Sequence, residues 1–102
     1  IIRGESRVIT PRQLDEMRQD EDIILLDCRT RKEYEEGSIE GAVLIPCDEL
    51  RERYHELDKN KKIVIYCKVG YRGNVAYRFL LQKGFDVYNL TGGISAYNMD
   101  IT

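Results

Sequence analysis

Residues 63–81 read IVIYCKVGYRGNVAYRFLL. The segment begins with the short apolar run of a buried strand and ends with apolar residues at helical spacing, so it predicts a strand, a turn and a helix. Cys67 opens the turn, and Lys68 and Arg72 follow it together with two glycines. A cysteine at this place either packs as a small apolar residue or is held as a thiolate.

Strand-like and helix-like segments alternate through the rest of the chain. Strand-length apolar runs occupy residues 7–10, 22–27, 42–46, 62–67 and 85–90. Helix-start signals follow the first three: Thr10 with Gln13, Thr30 with Glu33, and Asp48 as the N-cap of a helix over 49–57.

Two further helices complete the pattern. The first covers residues 73–83 and has one apolar side, formed by Val75, Ala76, Phe79 and Leu80. The last is short and extends from Gly92 and Gly93 through Tyr97. Strands joined by helices predict right-handed crossovers, and therefore an α/β domain of three layers with a mostly parallel five-stranded sheet and helices on both faces.

Composition limits the class of protein. A chain of 102 residues fits a single domain over 1–102, and 42% hydrophobic with 33% charged residues indicates a soluble globular protein, expected in the cytoplasm. A net charge of −2 with interleaved signs does not favour binding to nucleic acid or to a membrane. The first residue is not methionine, so we expect a domain cut from a longer protein.

The cysteines favour reduced thiols. Cys28, Cys47 and Cys67 are odd in number and widely spaced, which matches neither a disulfide framework nor a zinc site, and no metal is expected. Cys28 and Cys47 stand in apolar contexts that favour packing over a role as resolving thiols.

The turn after residue 66 contains the groups that stabilise a thiolate. An ordinary thiol, with a pKa of about 8.5, is only a few per cent ionised at neutral pH. A helix N-terminus, Lys68 and Arg72, and backbone N–H groups around Gly70 and Gly73 together favour the anion at Cys67. Sites in parallel sheets form at the carboxyl ends of strands, where Cys67 is predicted to lie.

Several separated motifs resemble the rhodanese-type sulfurtransferases. CKVGYRG at 67–73 is similar to their active-site loop, LLDCRTRKEYEEGSIEGAVLIP at 25–46 to the signature that opens their fold, and KGFDVYNLTGGISAY at 83–97 to their closing segment. The resemblance implies a sulfurtransferase without a cofactor, acting on small sulfur-containing anions and low-molecular-weight thiols. It also implies that Cys67 is the nucleophile that carries a persulfide.

The resemblance also assigns the loop. Arg72 would present its guanidinium to the anionic donor, and the other residues of the loop would cradle the sulfur: Lys68, Val69, Gly70, Tyr71 and Gly73. Asp27 and Arg29, at the end of the second strand, either orient this loop or form an ion-pair network that fixes the strand end, and the second role is favoured.

Two alternatives stay open. Phosphatases of the same fold place their arginine at Cys-x5-Arg, whereas Arg72 gives Cys-x4-Arg, so phosphatase or arsenate reductase activity is disfavoured. A non-catalytic rhodanese-like binding module would be expected to lack Cys67. The loop most resembles rhodanese domains at the C-terminus of flavin-dependent CoA-disulfide reductases and NADH oxidase-like proteins, which implies CoA and a fused flavoprotein as partners.

Overall fold

Five strands form one sheet in the computed structural model, which describes residues 7–68 and 71–101. In chain order they are β1 (Val8–Ile9), β2 (Ile24–Asp27), β3 (Val43–Leu44), β4 (Ile63–Tyr66) and β5 (Val87–Leu90). Their spatial order is β1-β5-β4-β2-β3, and every pairing is parallel. The central strand β4 is buried along its whole length, which agrees with its continuous apolar sequence.

Among the described residues, five α-helices connect or follow these strands. They are α1 (Pro11–Asp20), α2 (Arg31–Glu36), α3 (Leu50–Arg53), α4 (Tyr71–Gln82) and α5 (Gly93–Ile101). Two short 3₁₀ turns, Cys47–Glu49 and Tyr54–Glu56, flank α3. Within the described residues, no helix is long and apolar enough to cross a membrane.

Each face of the sheet carries its own apolar cluster, so the domain has three layers. Leu14 of α1 and Ile94 of α5 pack on one face with strand residues such as Val64. Ala76 and Leu80 of α4 pack on the other face, in a cluster with Leu26, Leu50 and Ile65. The predicted α/β architecture with a parallel five-stranded sheet is confirmed.

Local helix signals are confirmed at two helix starts. The side chains of Thr10 and Thr30 accept hydrogen bonds from the backbone N–H groups of Gln13 and Glu33, and the side chains of Gln13 and Glu33 accept from the N–H groups of the two threonines. Both capping boxes are therefore complete.

The helix predicted over 49–57 is wrong in its extent. Asp48 lies inside the first 3₁₀ turn instead of capping a helix, and α3 has only four residues. The chain turns at Tyr54, whose ring makes an edge contact with Phe79 at 5.5 Å between centroids and with Phe85 at 6.4 Å. This aromatic packing outweighs the helical spacing that Leu50, Tyr54 and Leu57 share.

Two other helix predictions need correction. Helix α4 begins at Tyr71 instead of residue 73, and Val75, predicted on its apolar side, is 54% exposed. Ala76 and Leu80 do face the core, while Phe79 is half-buried against it. Helix α5 extends to Ile101, past the predicted end at Tyr97.

Candidate functional site

Cys67 lies at the carboxyl end of the central strand, as predicted. It follows β4 directly and is 1% exposed. Its side chain belongs to the same cluster as Ala76 and Leu80 of α4, so it lies on the face of the sheet that α4 covers. Its side chain is therefore buried between the sheet and α4.

The first turn of α5 holds the backbone at Cys67. The N–H group of Ile94 donates to the Cys67 carbonyl at 2.8 Å, and that of Ser95 donates to the Lys68 carbonyl at 3.2 Å. Gly93 makes this approach feasible, because a Cβ at its position would lie 2.2 Å from the Cys67 carbonyl oxygen, and its φ of +63° is in the left-handed region. The sequence marked this glycine only as part of a turn, since its close neighbour is distant along the chain.

The structure describes the predicted loop in part. Lys68 is exposed at its start. Val69 and Gly70 lie outside the described residues, and Tyr71, Arg72 and Gly73 are described only as the backbone of the first turn of α4. The backbone therefore brings Arg72 to the N-terminal turn of the helix that covers Cys67, while its side chain lies outside the description.

Asp27 and Arg29 form a buried ion pair. The Arg29 Nη2 and Nε atoms lie 2.8 Å and 3.2 Å from Asp27 Oδ2, and Nη2 also donates to the Gly37 carbonyl at 2.6 Å. The hydrogen bond with Asp27 raises the pKa of Arg29 above its usual value. These contacts join the end of β2 to the turn at Gly37, which is the ion-pair role that the sequence favoured.

Tyr66 completes this network from the neighbouring strand. Its hydroxyl donates to Asp27 Oδ2 at 2.8 Å and accepts from the Ile39 N–H at 3.1 Å. Burial raises the pKa of Tyr66, so its hydroxyl stays protonated and remains a donor. The sequence did not single out Tyr66, because an apolar strand run gives no sign of a tertiary hydrogen bond.

The three cysteines lie near one another at the carboxyl ends of β4, β2 and β3, which their spacing in the sequence could not show. The Cys28 N–H donates to the Tyr66 carbonyl at 3.0 Å, and the Cys47 N–H donates to the Cys28 carbonyl at 3.1 Å. Cys28 is 1% exposed, whereas Cys47 is half-buried. None of the three, all of which the structure describes, forms a disulfide bond.

Cys28 and Cys67 are in contact through their side chains. The Cys28 sulfur lies 3.2 Å from the Tyr66 carbonyl oxygen, and it is also hydrogen-bonded with Cys67. This bond with Cys67, followed by burial, raises the pKa of Cys28 above its usual value. The Cys28 thiol therefore keeps its proton.

A polar cavity of about 320 Å³ opens beside Lys68. Its lining contains two cationic and two acidic side chains together with small polar groups: Arg29, Glu33, Glu36, Gly37, Ser38, Lys68, Ile94, Ser95 and Asn98. Across residues 7–68 and 71–101, no group of three or more His, Cys, Asp or Glu side chains is placed to hold a metal ion. The cavity suits a polar or charged organic group.

Comparison with known proteins identifies the family. A family model described as the rhodanese-like domain matches residues 10–100. The tRNA uridine(34) hydroxylase of Cytophaga hutchinsonii is 37% identical over 98 residues, which cover 90% of this chain and 31% of that protein. The enzyme of the same name from Hamiltonella defensa is 38% identical over 83% of this chain and 26% of its own length. The chain thus spans less than a third of these curated relatives.

Solved structures agree with this assignment. A rhodanese-related protein from Thermoplasma volcanium superposes with a TM-score of 0.87 at 33% identity, covering 93% of both chains. The reduced CoADR-RHD of Bacillus anthracis superposes with a TM-score of 0.85 at 36% identity over 91% of this chain, but over only 16% of that longer protein.

Proposed function

Because the chain belongs to the rhodanese-like domain family, we propose that it is a sulfurtransferase that carries sulfane sulfur as a persulfide on Cys67. The observation that carries this proposal is the position of Cys67, which follows β4 directly and precedes the loop that leads into the twelve-residue helix α4. A helix N-terminus attracts negative charge, so this position favours a thiolate and then a persulfide anion.

The reaction has two steps. The Cys67 thiolate attacks the outer sulfur of thiosulfate, a persulfide or a polysulfide, an S–S bond forms to Cys67, and the leaving group departs with the electrons of the bond that breaks. An acceptor thiolate or cyanide then attacks the outer sulfur, and Cys67 is released as a thiolate. Both steps exchange bonds at sulfur, so the chemistry calls for neither a metal nor an organic cofactor.

The loop supplies the stabilising charges in this proposal. Lys68 lies directly after the nucleophile and is exposed, so it can attract an anionic donor. Arg72 is proposed to bind the donor's anionic group, and the backbone N–H groups of residues 68–73 to surround the transferred sulfur. Arg72 occupies the first turn of α4, which keeps its backbone close to the Cys67 end of the sheet.

The cavity beside Lys68 is proposed to hold the acceptor. Its mixture of cationic and acidic side chains suits a low-molecular-weight thiol that carries charged groups, and CoA is one such thiol. The chain corresponds to a minor part of longer proteins, CoADR-RHD among them. A cysteine of a fused flavoprotein domain is therefore a second acceptor consistent with the proposal.

The competing proposals make different predictions. A binding module without catalysis would leave Cys67 unmodified by sulfur donors. A phosphatase or arsenate reductase would need a guanidinium at position 73, which is glycine. Sulfur uptake at Cys67 therefore separates the proposed activity from both.

Intact mass spectrometry after incubation with thiosulfate, and separately with polysulfide, tests the proposal directly. We expect the wild-type protein to gain sulfur at Cys67, cyanide to remove it as thiocyanate, and Cys67→Ser to gain none. A folded, reduced wild-type protein that takes up no sulfur from either donor would contradict the proposal.

The role of Arg72 is tested with a matched arginine on the same helix. Removing a charge-assisted donor from the transition state costs about 2–4 kcal/mol, so Arg72→Ala should react with thiosulfate at least about thirtyfold more slowly. Arg78 is exposed farther along α4, and Arg78→Ala should react at the wild-type rate. Equal rates for Arg72→Ala and Arg78→Ala would remove Arg72 from the mechanism.

A further inference from the structure

Cys28 is the register partner of Cys67 across two parallel strands. Asp27 of β2 pairs with Tyr66 of β4, and the ladder continues by one step, because the Cys28 N–H donates to the Tyr66 carbonyl at 3.0 Å. Neighbouring strands lie about 4.8 Å apart, and disulfides join residues whose Cα atoms are about 4.4–6.8 Å apart. The two backbones are therefore at disulfide distance without any rearrangement of the sheet.

The two side chains also point the same way. Leu26 and Cys28 of one strand, and Ile65 and Cys67 of the next, all belong to the apolar cluster on the α4 face. Both cysteines are 1% exposed, and their thiols are hydrogen-bonded to each other. Cys28 thus places a buried thiol in contact with Cys67, the proposed sulfur carrier. The proposed transfer reaction gives this thiol no role.

We propose that Cys28 is a resolving thiol that discharges the Cys67 persulfide inside the protein, releasing hydrogen sulfide and forming a Cys28–Cys67 disulfide. This inference rests on the proposed function, because the persulfide on Cys67 is its starting point. It adds a second outcome to that chemistry: reduction of sulfane sulfur to sulfide, in place of transfer to an acceptor.

The step balances without an added oxidant. The Cys28 sulfur attacks the inner sulfur of the persulfide, an S–S bond forms between the two cysteines, and the bond to the outer sulfur breaks. The outer sulfur takes the electron pair of that bond and the proton of the Cys28 thiol, and it leaves as hydrogen sulfide. The two cysteines are oxidised to a disulfide while the sulfane sulfur is reduced by two electrons. A dithiol reductant then reopens the disulfide for another cycle.

The environment of Cys28 makes its reaction with the persulfide slower than transfer to an acceptor. Cys28 keeps its proton, because its hydrogen bond with Cys67 and its burial raise its pKa, and a protonated thiol is a weak nucleophile. An acceptor thiolate that reaches the loop therefore reacts first. Without an acceptor, the proximity of the two sulfurs compensates for the low reactivity of Cys28. Cys28 thereby removes the persulfide from Cys67 when no acceptor is available.

Cys47 provides the matched control. Cys47 also lies at the carboxyl ends of the strands, and its N–H group donates to the Cys28 carbonyl. It differs from Cys28 in being half-buried and in beginning the 3₁₀ turn after β3. It lies one strand farther from Cys67, since β2 stands between β4 and β3. Cys47→Ala therefore removes a neighbouring thiol without removing the partner of Cys67.

The experiment follows a single turnover without an acceptor. The reduced wild-type protein, Cys28→Ala, Cys28→Val and Cys47→Ala are charged with thiosulfate under argon and desalted, and sulfite, hydrogen sulfide and intact mass are then measured over time. A parallel sample is charged with polysulfide. Peptide mapping of the wild-type protein locates any disulfide and needs no variant, so the test holds even if the Cys28 variants fold poorly.

We expect all four proteins to take up one sulfur atom and to release one sulfite from thiosulfate. The wild-type protein and Cys47→Ala should then release hydrogen sulfide, end two hydrogen atoms lighter than at the start and contain a Cys28–Cys67 linked peptide. In both Cys28 variants the persulfide should last at least about tenfold longer.

Two results would overturn the inference, and they are distinguishable. If the wild-type protein and the Cys28 variants hold the persulfide equally long, with no linked peptide, then Cys28 does not resolve it and the sulfurtransferase proposal stands. If no protein takes up sulfur or releases sulfite or sulfide with either donor, then the proposed function fails and the inference fails with it.

Discussion

The hydroxyl of Tyr66 donates a 2.8 Å hydrogen bond to the carboxylate of Asp27, and the bond joins the ends of β4 and β2. The next residue on each strand is a cysteine, Cys67 and Cys28 respectively. The hydrogen bond between Tyr66 and Asp27 lies on one face of the sheet and helps to hold β4 and β2 in register. In that register the sulfurs of Cys67 and Cys28 lie side by side on the other face.

Replacing Tyr66 with phenylalanine should destabilise the fold at neutral pH. The change leaves the buried Ile39 N–H without its acceptor and removes one donor from Asp27, which costs about 1–3 kcal/mol in the free energy of unfolding. Tyr34→Phe loses only a partly buried bond to the Ala42 carbonyl and should cost about 1 kcal/mol or less. Urea unfolding measures both, and a cost for Tyr66→Phe no larger than that for Tyr34→Phe would contradict this account.

The same variant should change the response to alkaline pH. Burial raises the pKa of Tyr66 above its ordinary value of 10.0, so above pH 10 the unfolded chain loses a proton that the folded chain keeps. Stability is then present below that pH and is lost as the pH rises, by about 0.8 kcal/mol at pH ~10.5. Tyr66→Phe should lack this loss in urea titrations at pH ~8 and ~10.5, and an unchanged loss would exclude Tyr66 as its source.

Neutralising Asp27 should be far more costly than neutralising an exposed aspartate. Asp27→Asn leaves Arg29, whose side chain is 6% exposed, without its charge partner, and should cost about 3 kcal/mol. Asp22→Asn breaks a surface pair with Lys61 and should cost about 0.5 kcal/mol or less. If the network serves only the fold, folded Asp27→Asn takes up sulfur at the wild-type rate, whereas a slower rate would assign Asp27 to loop orientation.

An alanine at position 93 should damage both stability and the site. Its Cβ would lie 2.2 Å from the Cys67 carbonyl oxygen and 2.7 Å from the Lys68 carbonyl, so Gly93→Ala should cost about 3 kcal/mol or more. Gly84 has a φ of +89° but only an ordinary 3.5 Å contact, with Lys59, and Gly84→Ala should cost about 1–2 kcal/mol.

The rate of Cys67 alkylation separates the two glycine variants further. It should change in Gly93→Ala, because the carbonyl of Cys67 is displaced, and stay unchanged in Gly84→Ala. Equal losses in the free energy of unfolding and equal alkylation rates in the two variants would contradict this account. They would show that the positive φ matters and that the close approach of Gly93 to the Cys67 carbonyl does not.

Adjacent leucines on α4 test its orientation. Leu80 is fully buried and Leu81 is 44% exposed. Leu80→Ala should lower the free energy of unfolding by about 2–5 kcal/mol, and Leu81→Ala by less than about 1 kcal/mol. Thermal or urea unfolding distinguishes them, and similar losses would indicate a rotated helix.

Sequence reasoning succeeded where the relevant interaction is local. The capping boxes at Thr10 and Thr30 connect residues three apart, and the apolar run at 62–67 contains its own signal of burial. It failed where tertiary packing competes with a local pattern. Helical spacing predicted one helix over 49–57, but the contacts of Tyr54 with Phe79 and Phe85 turn the chain there.

By itself, the sequence determined the alternation of strands and helices and the placement of Cys67 in a strand-to-helix turn, because these features depend on residues near one another along the chain. Only the tertiary structure decided which strand ends meet. The order β4-β2-β3 brings Cys67, Cys28 and Cys47 to neighbouring strand ends, and α5 returns Gly93 to the Cys67 carbonyl. Such contacts depend on strand order and register, which arise from packing the whole sheet between its two helical layers.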